Sequence, residues 1–360
     1  MSTTATQKMI SAYNQSAPPT LFLSGRFQSP AENFYNSEEV EIDIERDDED
    51  VAWVVTDLST GYRFNSTDDY TNKKFKPPIF KEAFALQSHD LLGRSPGDNP
   101  YADVAYQAKA ILRSFKNFRR LEAKIRRSVE WQASQILQTG VVTLIDGSGD
   151  ALYTIDFAPK ATHFPTVGTA WSAASPTIVA DLISLDSVIR DDSLSDPDMK
   201  IFGEGSFEAA MDNSDFRGRF ETRRADLGTI GPMRLVGSGG QFRGIIDVGN
   251  YRSEIWTYNG RYKHPQTGVK TKLVSDNSVI SLASGGRMDA TFGAIPRFVP
   301  PDARVMRYMP PRMSNINGGM DLFTNAWVTP DGETLMGGIS SRPLLIPTAI
   351  DTFGCLNANL

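Results

Sequence analysis

YADVAYQAKAILRSFKNFRRLEAKIRRSVEWQASQILQT, residues 101–139, decides the fold, because it runs without a single glycine or proline. Asn99 and Pro100 precede it as a capping residue and a first helical proline, and Gly140 follows it as a stop. This pattern predicts one helix, about 60 Å long at ~1.5 Å per residue. At ~100° per residue, Val104, Ile111, Phe115, Phe118, Ile125, Val129 and Ile136 share one side of it. Lys109, Arg113, Lys116, Arg120, Lys124 and Arg127 fall on the other side. The helix is thus amphipathic, with a core-facing stripe and a basic stripe.

Upstream, NSEEVEIDIERDDEDVAWVV alternates Val40, Ile42 and Ile44 with Glu41, Asp43 and Glu45, the period of a half-buried strand. Asp47–Asp50 is predicted as a turn into a second strand, Val51–Val55. Residues 56–88 hold no sustained period, yet Phe75, Ile79, Phe80 and Phe84 are too apolar for a free loop. A segment this long without its own period fits a hairpin arm that packs on another body, or one that folds back on its own domain. Residues 1–20 are small and polar, closed by Pro18 and Pro19, and are expected to order only against a partner.

Downstream, VVTLIDGSGDALYTIDF is predicted as a hairpin turning at Asp146–Asp150. SPTIVADLISLDSVIR follows as a helix capped by Ser175, with Ile178, Leu182 and Leu185 as its stripe. DMKIFGEGSFEAAMDN predicts a short strand, a loop and a helix capped by Ser206. Residues 223–282 are strand-rich (MRLVG, FRGIIDVG, SEIWTYNGRY, SVISLAS), and short β segments close the chain.

The chain has 360 residues, is 40% hydrophobic and carries a net charge of −6. That is enough for two or three packed units, and it argues against a protein coated in positive charge for DNA binding. A lone cysteine, Cys355, excludes an intramolecular disulfide and a cysteine-based zinc site. The N-terminus lacks an apolar core of the signal-peptide kind, and no apolar run is long enough to span a membrane. His89, His163 and His264 lie far apart in sequence. GSGG at 237–240 lacks the strand and helix of a dinucleotide loop and reads as a turn. RDDSLSDPD lacks the spacing of a calcium loop. No serine sits in a nucleophile elbow. Neither enzyme chemistry nor a cofactor has a residue set to rest on.

The order of pieces carries more than any motif: polar arm, acidic strand, aromatic-bearing hairpin, one very long helix, hairpin, mixed α/β region, final β segment. This order resembles the major capsid proteins of tailed bacteriophages with the HK97-type fold, and more narrowly the phage lambda coat-protein family. FYNSEEVEIDIERDDEDVAWVV, FKPPIF, GVKTKLVSDNSVIS and SSRPLLIPTAIDTFGCLNANL carry the resemblance. It implies an α+β fold with an N-terminal arm at 1–50 and an extended loop at 51–88 lying over a neighbouring subunit. It further implies a peripheral domain at 89–165 containing the long helix as a spine, an axial domain at 166–324, and a return to the peripheral domain at 325–360. The implied function is a head subunit that assembles as hexamers and pentamers into an icosahedral shell around phage DNA. Partners would be further copies, scaffold, portal, a decoration protein and packaged double-stranded DNA held without sequence specificity, with no membrane and no cofactor. The protein would assemble in the host cytoplasm and reside in the virion. An encapsulin-like bacterial compartment on the same fold, or a soluble α/β enzyme, are the alternatives.

On that reading Phe75, Ile79, Phe80 and Phe84 are subunit-contact candidates, because a thin arm cannot bury them alone. Glu41, Asp43 and Glu45 either remain solvated or pair with basic residues of an adjacent subunit. The basic stripe is solvated, faces such acids, or meets DNA or scaffold on the inner surface.

Overall fold

The computed structural model describes residues 21–30, 33–35, 39–45, 70–89, 106–145, 148, 150–221, 239–299, 312–316 and 321–360. The expected arm at 1–20, the turn and strand at 47–55, the helix start at 99–105 and the MRLVG strand lie outside them.

The long helix is present over Tyr106–Thr139, 34 residues, or about 51 Å at ~1.5 Å per residue. Gly140 ends it as expected: its φ is 68° and its N–H still bonds the Ile136 carbonyl at 2.7 Å. A Cβ at Gly140 would lie 2.4 Å from the Pro159 ring, so conformation and space both call for glycine. Phe118, Ile125 and Ile136 of the predicted stripe are fully or almost fully buried. Each such side chain removed from water contributes about 1.5–3 kcal/mol, which is what fixes the helix in place.

Its N-terminal half lies on a three-stranded antiparallel sheet. Phe323–Val328 pairs with Thr334–Ser341, which pairs with Phe80–Gln87. Phe84 meets Phe118 edge-to-face at 5.0 Å. Gly337 permits this approach, since a Cβ there would sit 2.4 Å from the Phe84 ring. Its C-terminal half enters the largest core, where Ala133, Ile136 and Leu137 join Phe157, Trp256, Ile280 and Phe353.

We label five strands around this helix. β1, Val40–Glu45, is the acidic strand the alternation predicts, and it pairs antiparallel with β2, Tyr70–Phe75. β3 is Phe80–Gln87. β4, Val141–Ile145, and β5, Ala151–Asp156, form the expected hairpin, with an irregularity at Leu144/Ile145.

A six-stranded sheet organises the rest, in the order Phe353–Asn357, Ser278–Leu282, Met199–Phe202, Tyr251–Tyr258, Gly240–Val248, Phe220–Glu221. The period of two distributes its side chains cleanly. Met199, Ile201 and Ile280 face the long helix's core, whereas Phe202, Val279 and Ile255 face a second core built on helix Ile178–Ser193. Lys200 and Ser281 also point to that second face. There the Lys200 ammonium, fully buried, meets Asp186 at 2.6 Å and Ser281 at 3.2 Å. The final strand pairs with Ser278–Leu282, so the chain's end closes the sheet.

Two predicted caps are corrected. The helix expected after Ser175 begins at Ile178, and Thr177 flanks it, its hydroxyl donating to Asp181 at 3.1 Å. Ser206 lies inside helix Glu204–Asp212 rather than before it. Its buried hydroxyl donates to the Gly203 and Ser278 carbonyls, tying the helix to the sheet.

Candidate assembly surfaces

Three features of the long helix tie the chain's outlying segments to one frame. The first is Glu130, completely buried. Its Oε1 accepts the Leu23 N–H at 2.8 Å and the Tyr258 hydroxyl at 2.7 Å, and its Oε2 accepts the Ser24 N–H at 2.8 Å. A buried carboxylate needs such donors, and charge-assisted bonds of this kind are the stronger class. Burial, and then the Glu130 charge beside it, hold the Tyr258 phenol well above its usual pKa. The segment so held continues into a short turn, Ser24–Arg26. Phe22 stacks between Trp256 and Tyr258 at 5.5 and 5.3 Å. Gly240 leaves room for that ring, since a Cβ would lie 2.5 Å from it.

The second is the base of the β1–β2 arm. Phe75 is buried and packs on Phe157 at 5.2 Å. Arg342 donates to the Pro77 and Ala294 carbonyls at 3.0 Å each, pinning the chain as it leaves β2. Of the four apolar contact candidates, Phe75 therefore lies in this chain's own core, while Phe80 and Phe84 pack partly buried against the long helix. Ile79 is left 47% exposed. The long helix and the residues around it in this same chain cover Phe75 and part of Phe80 and Phe84, so the apolarity of these three does not by itself require a neighbouring subunit.

The third is a groove of about 1530 Å³ along the helix, walled by residues 76–82, by the β4–β5 hairpin and by residues 262–265. Trp131 on its floor stacks on Tyr262 at 5.1 Å, and His264 meets Trp131 edge-on. Arg120, Lys124 and Arg127 of the basic stripe line it, all exposed. Lys124 reaches Glu82 at 2.5 Å. Farther up the helix, Lys116 is exposed while Lys109 and Arg113 are half-buried. The stripe is thus split: its C-terminal half borders the groove and its N-terminal half does not.

On β1, Glu41 stands opposite Lys74, Asp43 opposite Asn72 and Glu45 opposite Tyr70.

The histidines do not converge. His163 is buried and bridges the Phe353 carbonyl and Asp192, both at 2.9 Å, while His264 belongs to the groove. Among the described residues no group of His, Cys, Asp or Glu is arranged to hold a metal ion. No helix among them is long and apolar enough to cross a membrane. Cys355 is buried, and burial pushes its thiol up to about 12, so it is no nucleophile. Sequence reasoning passed over Glu130, Arg342 and the Asp186–Lys200 pair. The available signal was a single charge inside an apolar run, as in MKIF and SVEWQASQIL.

The model of the family described as phage major capsid protein E matches residues 5–354. No curated protein matches the chain. Among solved structures, the putative capsid protein of a prophage of E. coli CFT073 is similar over 98% of both chains, with a TM-score of 0.65 and 15% identity. A phage-related protein from Bordetella bronchiseptica RB50 is similar over 98% of this chain and 97% of that one, with a TM-score of 0.51 and 9% identity. At such identities the structural likeness speaks for the fold.

Proposed function

The chain belongs to the phage major capsid protein E family, and from that premise we propose that it closes, as hexamers and pentamers, into the icosahedral head shell around packaged double-stranded DNA. It is a structural, shell-forming capsid protein with the HK97-type fold, a component of the virion and not an enzyme. The observation that supports the finer reading is the family match across residues 5–354, which takes in every element described above except the last residues of the final strand, Phe353–Asn357.

In the proposed division, residues 89–165 and 325–360 form a peripheral domain on the long helix, and 166–324 form an axial domain built on the six-stranded sheet, which takes its edge strand Phe353–Asn357 from the returning chain. Residues 1–50 serve as an arm that Glu130 anchors where it meets the helix, and 51–88 as the extended loop. Scaffold and portal complete the assembly in the host cytoplasm, with a decoration protein on the finished shell. Of the apolar contact candidates, Ile79 is the one whose exposure supports burial by a neighbour. Lys116, Arg120 and Arg127 supply positive charge for a neighbour's acids or for phosphate. Glu41, Asp43 and Glu45 supply the complementary charge on the arm.

The test is direct. Expressed chain, fractionated by size and imaged in negative stain, is expected to give capsomers or closed shells. A monodisperse monomer at high concentration overturns the reading. Closed particles that carry a protein cargo and no nucleic acid, when formed beside a packaging machinery, turn it toward a bacterial compartment.

A further inference from the structure

His163 is 1% exposed, and both of its ring nitrogens face acceptors. Nδ1 lies 2.9 Å from the Phe353 carbonyl, and Nε2 lies 2.9 Å from Asp192 Oδ2. A carbonyl and an ionised carboxylate only accept. A neutral imidazole has one N–H, so one of these contacts would set lone pair against lone pair. The imidazolium has two N–H groups and satisfies both.

The surroundings favour that form. Asp192 lies in the last turn of helix Ile178–Ser193, where the helix end concentrates negative charge and a cation is stabilised. Lys160 Nζ takes the other carboxylate oxygen at 2.5 Å. Burial opposes the charge on Asp192, but the hydrogen bonds from Lys160 and His163 outweigh it and keep this acid ionised. The other charges on the helix are engaged elsewhere or exposed. Asp181 accepts from Trp171 Nε1 at 3.0 Å, Asp186 pairs with the buried Lys200, Arg190 reaches Asp196 at 3.0 Å, and Asp191 is exposed. The final strand, Phe353–Asn357, carries no charged side chain, and burial keeps its Cys355 thiol neutral. The turn ahead of that strand adds Asp351, also buried.

The ring stands where three segments meet. His163 ends a short turn, Ala161–His163, that follows the β4–β5 hairpin. Beyond it the chain runs along the open edge of the final strand. The Asn357 N–H donates to the Pro165 carbonyl at 3.0 Å, and the Val167 and Trp171 N–H groups donate to the Asn357 and Ala358 carbonyls at 3.0 and 3.1 Å. The backbones are so close that a Cβ at Gly354 would lie 2.6 Å from the His163 carbonyl. The ring closes the near end of this edge through Phe353 and ties it to the helix through Asp192.

We propose that His163 is a doubly protonated, charge-dependent latch joining the loop after the β4–β5 hairpin to helix Ile178–Ser193 and to the final strand, and that loss of one ring proton releases the loop. In the proposed division the latch lies where the peripheral and axial domains join, and its charge sets how firmly they are held. The latch itself rests on the fold alone, so its failure leaves the shell reading standing.

Two experiments on the unassembled full chain test it. The chain has three histidines, so His89→Gln with His264→Gln leaves His163 as the sole imidazole. Nitrogen NMR of that variant at about pH 7.5, a unit above the ~6.5 of a free imidazole, is expected to show a proton on both ring nitrogens. The same signals in the unaltered chain, absent from His163→Gln, give the identical reading. A single ring proton at that pH overturns the proposal. The second experiment measures urea unfolding of the unaltered chain and of His163→Gln, which stays neutral at every pH. Stability from a cation held in this way is complete below ~6.5 and is lost as pH rises. The unfolding constant of His163→Gln, divided by that of the unaltered chain, is therefore expected to fall at least tenfold between about pH 6 and about pH 9.5, below the lysine range. A ratio that is constant, or that rises with pH, overturns the proposal. With Asp192→Asn in both chains the fall is expected to shrink, because the carboxylate that favours the cation is gone. An equal fall there refutes the part assigned to Asp192.

Discussion

Replacing Glu130 by glutamine keeps the shape of the side chain and converts one of its two oxygens to an NH2. With the oxygen kept toward Leu23 and Tyr258, the new amide nitrogen points at the Ser24 N–H, donor against donor. Leaving that N–H unpaired costs about 1–3 kcal/mol, and the two remaining bonds lose their charge assistance, about 1 kcal/mol each. Relief of the buried charge's desolvation offsets part of this. Ser24 is only half-buried, so water relieves some of the rest. The expected net loss is about 2–3 kcal/mol. Undocking the segment entirely is no escape, because Phe22, Leu23 and Phe27 would each give up about 1.5–3 kcal/mol of burial. Urea unfolding of the unassembled chain measures the loss as a lower midpoint at unchanged slope. Trypsin cleavage after Arg26 should accelerate in parallel, since the clamp holds the turn that contains it. Tyr258→Phe removes one of the three donors and should cost about 1 kcal/mol in the native background and less beside Glu130→Gln. A midpoint shift worth less than ~1 kcal/mol for Glu130→Gln, with unchanged cleavage at Arg26, would refute the claim that this carboxylate anchors the arm.

Lys200→Met strands the buried Asp186 charge and should cost about 3–5 kcal/mol, whereas Lys200→Met with Asp186→Leu should recover most of it; equal losses in the two variants would contradict the pairing. Cys355 should react with iodoacetamide at pH 8 roughly a thousandfold more slowly in the folded chain than in urea, since its folded pKa of about 12 compares with ~8.5 for a free thiol. Equal rates would show that the thiol is exposed. For Asp192, burial alone would push the carboxyl up, but hydrogen bonds from Lys160 and His163 outweigh it and hold the pKa below its usual range. A folded pKa lower than the unfolded one contributes stability above the unfolded value, near ~3.9, that is lost as pH falls through the folded value. The destabilisation by Asp192→Asn should therefore shrink between about pH 6 and about pH 3 in urea midpoints, and a pH-independent difference would exclude this linkage.

The long helix was legible because its signals agree: no breaker, one apolar stripe, and a glycine stop that local geometry demands at Gly140. The acidic strand was legible from its alternation, but its partner was not. Tyr70–Phe75 carries a polar middle, and its pairing comes from chain reversal and from Phe75 entering a distant core. The two serine caps failed for a related reason. Ser206 could cap a helix by its sequence position, but the Ser278 carbonyl, brought close by the sheet, takes its hydroxyl instead. The basic stripe was visible as a helical period, whereas its division between groove and open surface depends on β3 and the β4–β5 hairpin, which no local pattern places. Glu130 and the Asp186–Lys200 pair show the same limit: their partners lie 128 and 14 residues away, and only the assembled core brings them together.

The account's central claim is that this chain builds a shell, and cryo-electron microscopy of particles purified from cells expressing it tests that most directly. The predicted result is a closed shell whose reconstruction has five-fold and six-fold capsomers, with one long helix resolved in every subunit. A purified chain that remains a dispersed monomer or small closed oligomer, with or without scaffold, would contradict it.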